Sequence, residues 1–366
     1  SHLIPDFIHL TLWGPSPINR LPVELVMEIF VFSLRDFAGD PGLISTRASR
    51  KFRDRLSLSP GASSDPMILA QVCRRWRYIA LSMPRLWTKM RIKSYSHSHH
   101  VPLVQTWLQR SANLPLDISL HELNRSEKTL PITVGILSLL IGQAHRWKSI
   151  DFSFSHGVPW VLLNTLESSS LRILESAEIM SCDDDFLDFV EAILPSLEKT
   201  WSIIHGAPSL HKGKWELHYL YHRLWDVPWN QLTSIDISVS IGTLLDLLPS
   251  YYSEQSEAYL LQTLASPAFQ SVDNLSVNST LSPMTGLVPF LTIRDGHIAL
   301  PRLQKLDIAK CEAPPGAYLQ MVRSRQSRGG NSSTLRDVRI PIHGRDQDER
   351  NGFKELAAEG MLVQFR

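Results

Sequence analysis

The stretch from Pro66 to Met83 has the apolar spacing of an α-helix. Apolar residues recur there at steps of three and four positions: Leu69, Val72, Trp76, Ile79 and Met83. Pro66 suits the first position of a helix, where its missing N–H is not needed, and Pro84 ends the pattern. The spacing predicts one helix with a continuous apolar stripe. We expect three arginines off the stripe to be solvated: Arg74, Arg75 and Arg77.

A second helical stretch, "LPVELVMEIFVFSLRD", lies upstream. Pro22 suits its first position, and Glu24 falls in the first turn, where the helix dipole favours a carboxylate. The residues that follow are apolar on nearly every side: Leu25, Val26, Met27, Ile29, Phe30, Val31 and Phe32. Such a helix must be covered on every side.

These helices form a small N-terminal module over residues 16–90, after a tail at 1–15. A loop at about 36–65, rich in Gly, Pro, Ser and charge, separates the two helices. Only about fifty residues remain to bury several large aromatic side chains, near the limit for an independent core. We expect part of this apolar surface to be covered by another chain, or else by the rest of this protein.

The pattern "LPVELVMEIF…VCRRWRYIA…LW" resembles the F-box, a helical module that binds the Skp-type adaptor of cullin–RING ubiquitin ligases. The resemblance covers residues 18–34 and 67–90, and the long loop between them departs from the family. It implies adaptor-binding residues at or beneath the interface: Leu21, Pro22, Leu25, Ile29, Val72, Cys73, Trp76 and Trp87.

Residues 91–366 read as a second domain of alternating strands and helices. Val104, Trp107 and Leu108 have helical spacing, and Leu116 to Leu120 alternates as a strand. An apolar-x-x-apolar-x-apolar triplet then recurs between helical stretches. Its members are Trp147, Ile150, Phe152; Leu174, Ala177, Ile179; Leu232, Ile235, Ile237; Val272, Leu275, Val277; Leu303, Leu306, Ile308; and Leu335, Val338, Ile340. We read the segment Pro195 to Trp201 as one further, degenerate member.

The triplets resemble leucine-rich repeats, and two of them extend to the cysteine of that pattern, at Cys182 and Cys311. The predicted fold is therefore α/β: a small helical module followed by an irregular leucine-rich-repeat-like β/α solenoid. Side chains between the apolar positions would line its concave face. Candidates are Ser149, Asp151, Ser153, Ser176, Glu178, Ser234, Asp236, Ser238, Lys305, Asp307, Asp337 and Arg339.

The composition of the chain limits the kinds of partner and the cellular compartment that we expect. The formal net charge is +1, which does not favour nucleic acid or an anionic membrane. Three widely spaced cysteines argue against a disulfide framework. The apolar run from Leu130 to Gly142 is too short to cross a bilayer. We expect a cytoplasmic and/or nuclear protein, with the Asn-x-Ser/Thr sequons unmodified.

Motifs for catalysis are absent from the sequence. It contains no glycine-rich phosphate loop, no G-x-S-x-G turn and no HExxH. The run "HSHH" (His97 to His100) is interpreted as a polar linker rather than a metal site. The run Asp183 to Asp185 is interpreted as capping the helix that follows it. We expect no enzymatic activity, no cofactor and no metal.

Taken together, the resemblance implies a substrate-recognition subunit of an SCF-type cullin–RING E3 ubiquitin ligase. The F-box would bind the Skp-type adaptor and, through it, cullin, while the solenoid would bind a protein substrate. The alternative is an F-box-derived scaffold for protein interactions that acts outside the ligase. An enzyme with an unrecognised site is a third, less favoured reading.

Overall fold

A computed structural model describes residues 17–35, 66–94, 100–122, 128–155, 157–181, 186–216, 227–228, 230–239, 257–258, 260–262, 264–279, 284–294, 298–309, 311–326, 335–341 and 347–365. The predicted tail at 1–15 and loop at 36–65 lie outside these residues. The chain divides into two compact units. The first comprises residues Ser1–Ile92 and Pro102–Leu114, and the second comprises Lys93–Val101 and Pro115–Arg366.

The helices of the first unit follow the predicted order. They are α1 (Val23–Arg35), α2 (Pro66–Val72), α3 (Arg74–Ser82), a 3-10 turn at Pro84–Trp87, and α4 (His100–Arg110), which belongs to this unit from Pro102 onward. Glu24 lies in the first turn of α1, as predicted. Pro22 precedes the helix, and its carbonyl accepts the first helical hydrogen bond from the Val26 N–H.

The prediction of one helix from Pro66 to Met83 is wrong, because Cys73 interrupts the helix between α2 and α3. Cys73 is extended, with φ −158° and ψ 171°, and its Sγ accepts a hydrogen bond from the backbone N–H of Trp76 at 3.4 Å. It thereby caps α3, and α2 and α3 pack on each other as separate short helices. Periodicity missed this break because the apolar stripe continues in register across it.

Aromatic pairs form the core of the first unit. Phe30 on α1 meets Trp76 on α3 edge-to-face, with ring centroids 4.8 Å apart. Trp87 meets Trp107 on α4 in the same way at 4.9 Å, and the Arg110 guanidinium lies 4.5 Å above the Trp87 ring. The Trp87 indole N–H donates to the Ala80 carbonyl, so its one polar group is satisfied within the core.

The dominant element of the chain is a ten-stranded sheet whose strands lie side by side in the order of the sequence. Each pair of neighbours from β2 to β10 runs parallel. The strands are β1 (Lys89–Ser94), β2 (Leu116–Glu122), β3 (Trp147–Phe154), β4 (Ser176–Ser181), β5 (Lys212–Glu216), β6 (Ser234–Val239), β7 (Asn274–Ser279), β8 (Lys305–Ala309), β9 (Asp337–Ile340) and β10 (Leu362–Phe365).

All six predicted triplets contribute to strands, and the side chains of all eighteen triplet residues are buried. Within each triplet the last two residues lie in the strand and point to one face of it, next to their counterparts in the neighbouring strands. Among the described residues, α-helices connect β2 to β3, β3 to β4, β4 to β5, β7 to β8, β8 to β9 and β9 to β10, as expected for parallel pairing. They are α5 (Leu130–Ile141), α6 (Gly157–Leu163), α7 (Phe186–His205), α8 (Leu287–Leu291), α9 (Ala317–Gln326) and α10 (Gln347–Ala358). The predicted helical stretch at 242–252 lies outside the described residues.

The assignment of Pro195–Trp201 as a degenerate repeat is wrong. This segment lies inside α7, and the strand that completes the series is β5. Leu210 and Gly213 occupy the first two apolar positions of a seventh triplet, and Gly213 pairs with Ala177 on one side and Ile235 on the other. A glycine in place of a large apolar residue hid the pattern.

Among the described helices, none is long and apolar enough to cross a membrane.

Candidate interaction surfaces

An exposed apolar surface lies on α1. Leu25, Ile29 and Phe32 are spaced by four and three residues, which places them on one face of the helix. Their exposed fractions are 51%, 41% and 64%. We call these three residues the α1 ridge. The opposite side of the helix is buried, because Val26 and Phe30 are fully covered. One face of α1 therefore packs in the core of the first unit, and the other face is exposed to solvent.

The residues predicted to bind an adaptor divide into exposed and supporting groups. Leu25, Ile29, Val72, Pro22 and Cys73 are exposed. The others support them from within: Leu21 and Trp76 are half-buried, and Trp87 is completely buried. The set thus mixes surface contacts with residues that can act only beneath the surface.

Three large, exposed apolar residues described in the first unit were not among the predicted site residues: Val23, Phe32 and Tyr78. Phe32 is the most exposed member of the α1 ridge, and Tyr78 on α3 is 77% exposed. The spacing from Leu25 through Ile29 contained the signal for Phe32, since a residue seven positions after Leu25 returns to the same helical face. No comparable signal marks Tyr78.

Two of the three arginines near Cys73 tie elements together rather than being merely solvated as expected. Arg75 is half-buried, and its guanidinium donates to the Leu21 carbonyl. The Arg77 Nε donates to the Ala70 carbonyl at 2.8 Å. These bonds link α3 to the segment before α1 and to α2. Arg74 and Arg77 are exposed, as predicted, and only Arg75 of the three is half-buried.

The second unit presents a polar face on its sheet. Side chains between the buried triplet positions stand in register across eight strands, and we call this set the polar row. It runs from β2 to β9 through Ser119, Asp151, Glu178, Lys214, Asp236, Ser276, Asp307 and Arg339. Adjacent strands lie about 4.8 Å apart, so the row places functional groups at regular intervals.

Several carboxylates of the polar row contact side chains on neighbouring strands. Asp151 accepts hydrogen bonds from Ser119 Oγ at 3.0 Å and lies 2.9 Å from His121 Nε2. Lys214 forms an ion pair with Glu178. On β8 and β9, Asp307 lies 4.0 Å from Arg339. The row therefore contains two ion pairs between neighbouring strands, with Asp236 and Ser276 between them.

The predicted concave-face residues fall largely on this face. Five of them form a second row on the same face, two residues before the polar row in each strand. They are Ser149, Ser176, Ser234, Lys305 and Asp337. Ser153 is fully buried and cannot contact a partner, and the side chain of Ser238 lies outside the described ones. Lys214 was missed because β5 was missed. Ser276 was missed although it sits between the apolar positions of a predicted triplet.

Two other titratable groups of the second unit, Cys311 and Arg325, are buried and have a structural role. Burial raises the pKa of the Cys311 thiol to about 12, helped by the Glu257 carboxylate, which matches its predicted structural role. Burial lowers the pKa of Arg325 to about 10. Its guanidinium donates to the carbonyls of Leu291 and Ala299 at 2.8 and 2.7 Å. Cys182 lies outside the described residues.

Among the described residues, no group of three His, Cys, Asp or Glu side chains could hold a metal ion. His97, His99 and the run from Asp183 to Asp185 lie outside this set, and His100 is buried at the start of α4. Two candidate interaction surfaces of the described residues are thus the α1 ridge with Val72, and the polar face of the sheet.

No known protein family matches the chain, and no curated protein is similar to it in sequence. A functional assignment therefore depends on the residues and surfaces themselves.

Proposed function

We propose that this protein is the substrate-recognition subunit of an SCF-type cullin–RING E3 ubiquitin ligase. The first unit acts as an F-box and binds a Skp-type adaptor, and through it cullin. The second unit acts as a leucine-rich-repeat-like solenoid that binds a target protein. The chain itself positions the target and makes no covalent bond.

One observation carries the proposal. Leu25, Ile29 and Val72 occupy positions that resemble the F-box, and each is an aliphatic side chain with 41% to 58% of its surface exposed. Beneath them, Phe30 and Trp76 hold α1 against α3. Covering each half-exposed side chain with a partner would contribute about 1 kcal/mol, roughly half the value for full burial. Rigid support lowers the ordering cost on binding.

The sheet supports the second half of the proposal. Its polar face offers short side chains of both signs at regular spacing, and these suit hydrogen bonds and ion pairs with a polypeptide. Asp236 and Ser276 lie at the centre of the polar row. A nucleic acid would require an excess of positive charge along the row, but the row holds four carboxylates against one lysine and one arginine.

The adaptor interface can be tested with Leu25→Asp combined with Ile29→Asp. Both positions are exposed, so the variant is expected to fold, but two carboxylates would have to be desolvated against an apolar partner. We expect its affinity for a purified Skp-type adaptor to fall at least about 100-fold, measured by calorimetry or by pull-down. The matched control is Val158→Asp with Val161→Asp, two exposed apolar residues on α6 in the second unit.

Adaptor affinity equal to that of the unmodified chain in the α1 variant would show that the interface is assigned wrongly. The same pull-down from cells distinguishes the ligase from the alternative scaffold. Recovery of cullin together with the adaptor supports the ligase subunit. Recovery of the adaptor without cullin would favour a scaffold outside the ligase.

A further inference from the structure

The two outer strands of the sheet differ in how their edges are protected. Exposed edges pair readily with other strands, and charged side chains are a common defence. β1 carries Lys89 and Arg91, both exposed. β10, with the sequence Leu-Val-Gln-Phe, has no charged residue, no proline and no bulge. Among the described residues, no strand pairs with β10 on the side away from β9.

The backbone of β10 offers hydrogen bonds along this open edge. The Leu362 N–H donates to the Arg336 carbonyl at 2.9 Å, so the peptide groups of Leu362 point toward β9. Peptide groups alternate in direction along a strand, and Gln364 therefore points the same way as Leu362. The N–H and C=O groups of Val363, and the N–H of Phe365, consequently point outward from the sheet.

Two of the four side chains on β10 are large, apolar and exposed. Leu362 is 65% exposed and lies on the polar face, opposite Asp337 in register. Phe365 is 45% exposed on the other face, where its ring meets Phe353 of α10 at 6.0 Å. Together with the open backbone groups, these side chains make β10 suited to accept another strand.

We propose that β10 pairs antiparallel with β10 of a second copy of this chain, about a two-fold axis through Val363. The two Val363 residues then exchange both of their backbone hydrogen bonds. Phe365 lies opposite Met361 of the second copy, and Leu362 lies opposite its Gln364. The Met361 N–H is already bonded to the Leu356 carbonyl, but its own carbonyl can accept from Phe365. Each pair of opposed side chains lies on the same face of the joined sheet.

A second copy fits this edge better than a strand of another kind. Near a two-fold axis each residue lies close to its own counterpart, so a charge in this segment would lie near a like charge. Residues 362–365 contain none. Pairing of β10 with the cationic edge of β1 would be open-ended and would leave Lys89 and Arg91 beside apolar residues, whereas the two-fold arrangement closes after two copies.

The interface is small, since only four or five residues of each copy pair. It falls below the roughly 1,600 Å² of buried surface that is usual for stable complexes, so association should be weak and dependent on concentration. A two-fold axis perpendicular to the sheet keeps both polar faces on the same side. The dimer therefore presents two target-binding faces together, which would strengthen binding to a target with repeated segments.

Sedimentation velocity of the full chain tests the proposal. We expect a monomer–dimer equilibrium whose weight-average mass rises with concentration, and a loss of affinity of at least tenfold in Val363→Pro. Proline removes the outward N–H at the axis, which β9 does not use. A chain that stays monomeric up to about 100 μM, well above the range of weak specific association, would overturn the proposal. A dimer that Val363→Pro leaves unchanged would also overturn it.

A cross-linking experiment covers the case in which Val363→Pro fails to fold. In a Cys73→Ser, Cys182→Ser background, which leaves only the buried Cys311 of the native thiols, Val363→Cys places two thiols across the axis, about 5.5 Å apart between α-carbons and within reach of a disulfide. Mild oxidation should yield a cross-linked dimer. The control Leu362→Cys faces Gln364 of the second copy and should yield several-fold less. Equal or absent cross-linking in the two variants would contradict the two-fold register.

Discussion

His205 is a buried histidine near the end of α7, and its ring stacks on Trp201 with centroids 5.2 Å apart. Burial lowers the pKa of His205 from 6.5 to about 4 in the folded protein. In the unfolded chain the same side chain would titrate near its ordinary value. The unfolded state therefore takes up a proton on this residue at a higher pH than the folded state does.

This difference predicts a loss of stability in acid. The contribution of His205 is fully present above about pH 6.5, where the residue is neutral in both states, and it is lost as the pH falls through about 4. The loss amounts to roughly 3 kcal/mol at most, because each pKa unit corresponds to about 1.4 kcal/mol. In His205→Leu the free energy of unfolding should decline less steeply between pH 6.5 and 4, measured by urea titration at each pH.

The matched control is His145→Leu, which replaces an exposed histidine rather than a buried one. Equal slopes for His205→Leu and the unmodified chain would contradict the prediction. Sequence alone could not identify His205 as special. It follows the stretch that we read as a degenerate repeat, Pro195–Trp201, and burial of a histidine depends on how α7 packs rather than on its neighbours in the chain.

The break between α2 and α3 shows how one residue determines an element. Cys73 supplies the side-chain acceptor for the Trp76 N–H, and the extended backbone at this position lets α3 start in a new direction. Replacing Cys73 by Ala removes the acceptor and should lower the free energy of unfolding by about 1 kcal/mol. Serine is a preferred residue at this position, so Cys73→Ser should be as stable as the unmodified chain or more so.

The free energy of unfolding of both Cys73 variants is measured by urea titration. The slope of this free energy against urea concentration should be the same for the two variants. Equal stability of the Ala and Ser variants would mean that the cap contributes nothing. A joined helix in the Ala variant, visible as a gain of helical circular dichroism, would show that Cys73 actively breaks the helix.

Periodicity predicted elements well where large apolar residues mark every inward position. Six triplets located six strands, because parallel strands bury their inner positions whatever the loops do. The method failed at β5, where Gly213 occupies an inward position, and at Pro195, which lies inside α7 and concealed the second half of the helix predicted after Asp185. A proline and a glycine thus account for one misplaced repeat and one missed strand.

At the scale of the whole molecule, the first unit proves larger than the pattern of its first helices indicates. Residues 102–114 belong to it, and they bring Trp107 against Trp87 and Arg110 over the same ring. The sequence predicted the helix containing Trp107 but not its unit, because spacing along a chain does not reveal which distant surface a helix covers. This added helix supplies core that the first three helices lack.

The proposed adaptor interface and the β10 dimer lie in different units, so their effects can be combined in one bridging experiment. The Leu25→Asp, Ile29→Asp variant should not be retained by an immobilised Skp-type adaptor when it is alone. With the unmodified chain present, it should be retained through β10 pairing, because the adaptor holds one copy and that copy holds the other. Differently sized tags distinguish the two copies on a gel.

Adding Val363→Pro to the α1 variant should abolish this indirect retention while leaving adaptor binding by the unmodified chain intact. Retention that survives Val363→Pro would place the contact between copies elsewhere. If the α1 variant is never retained although the unmodified chain binds the adaptor, the F-box assignment stands and the β10 dimer does not. If neither chain binds the adaptor, the F-box assignment fails, and sedimentation alone decides whether the chains pair.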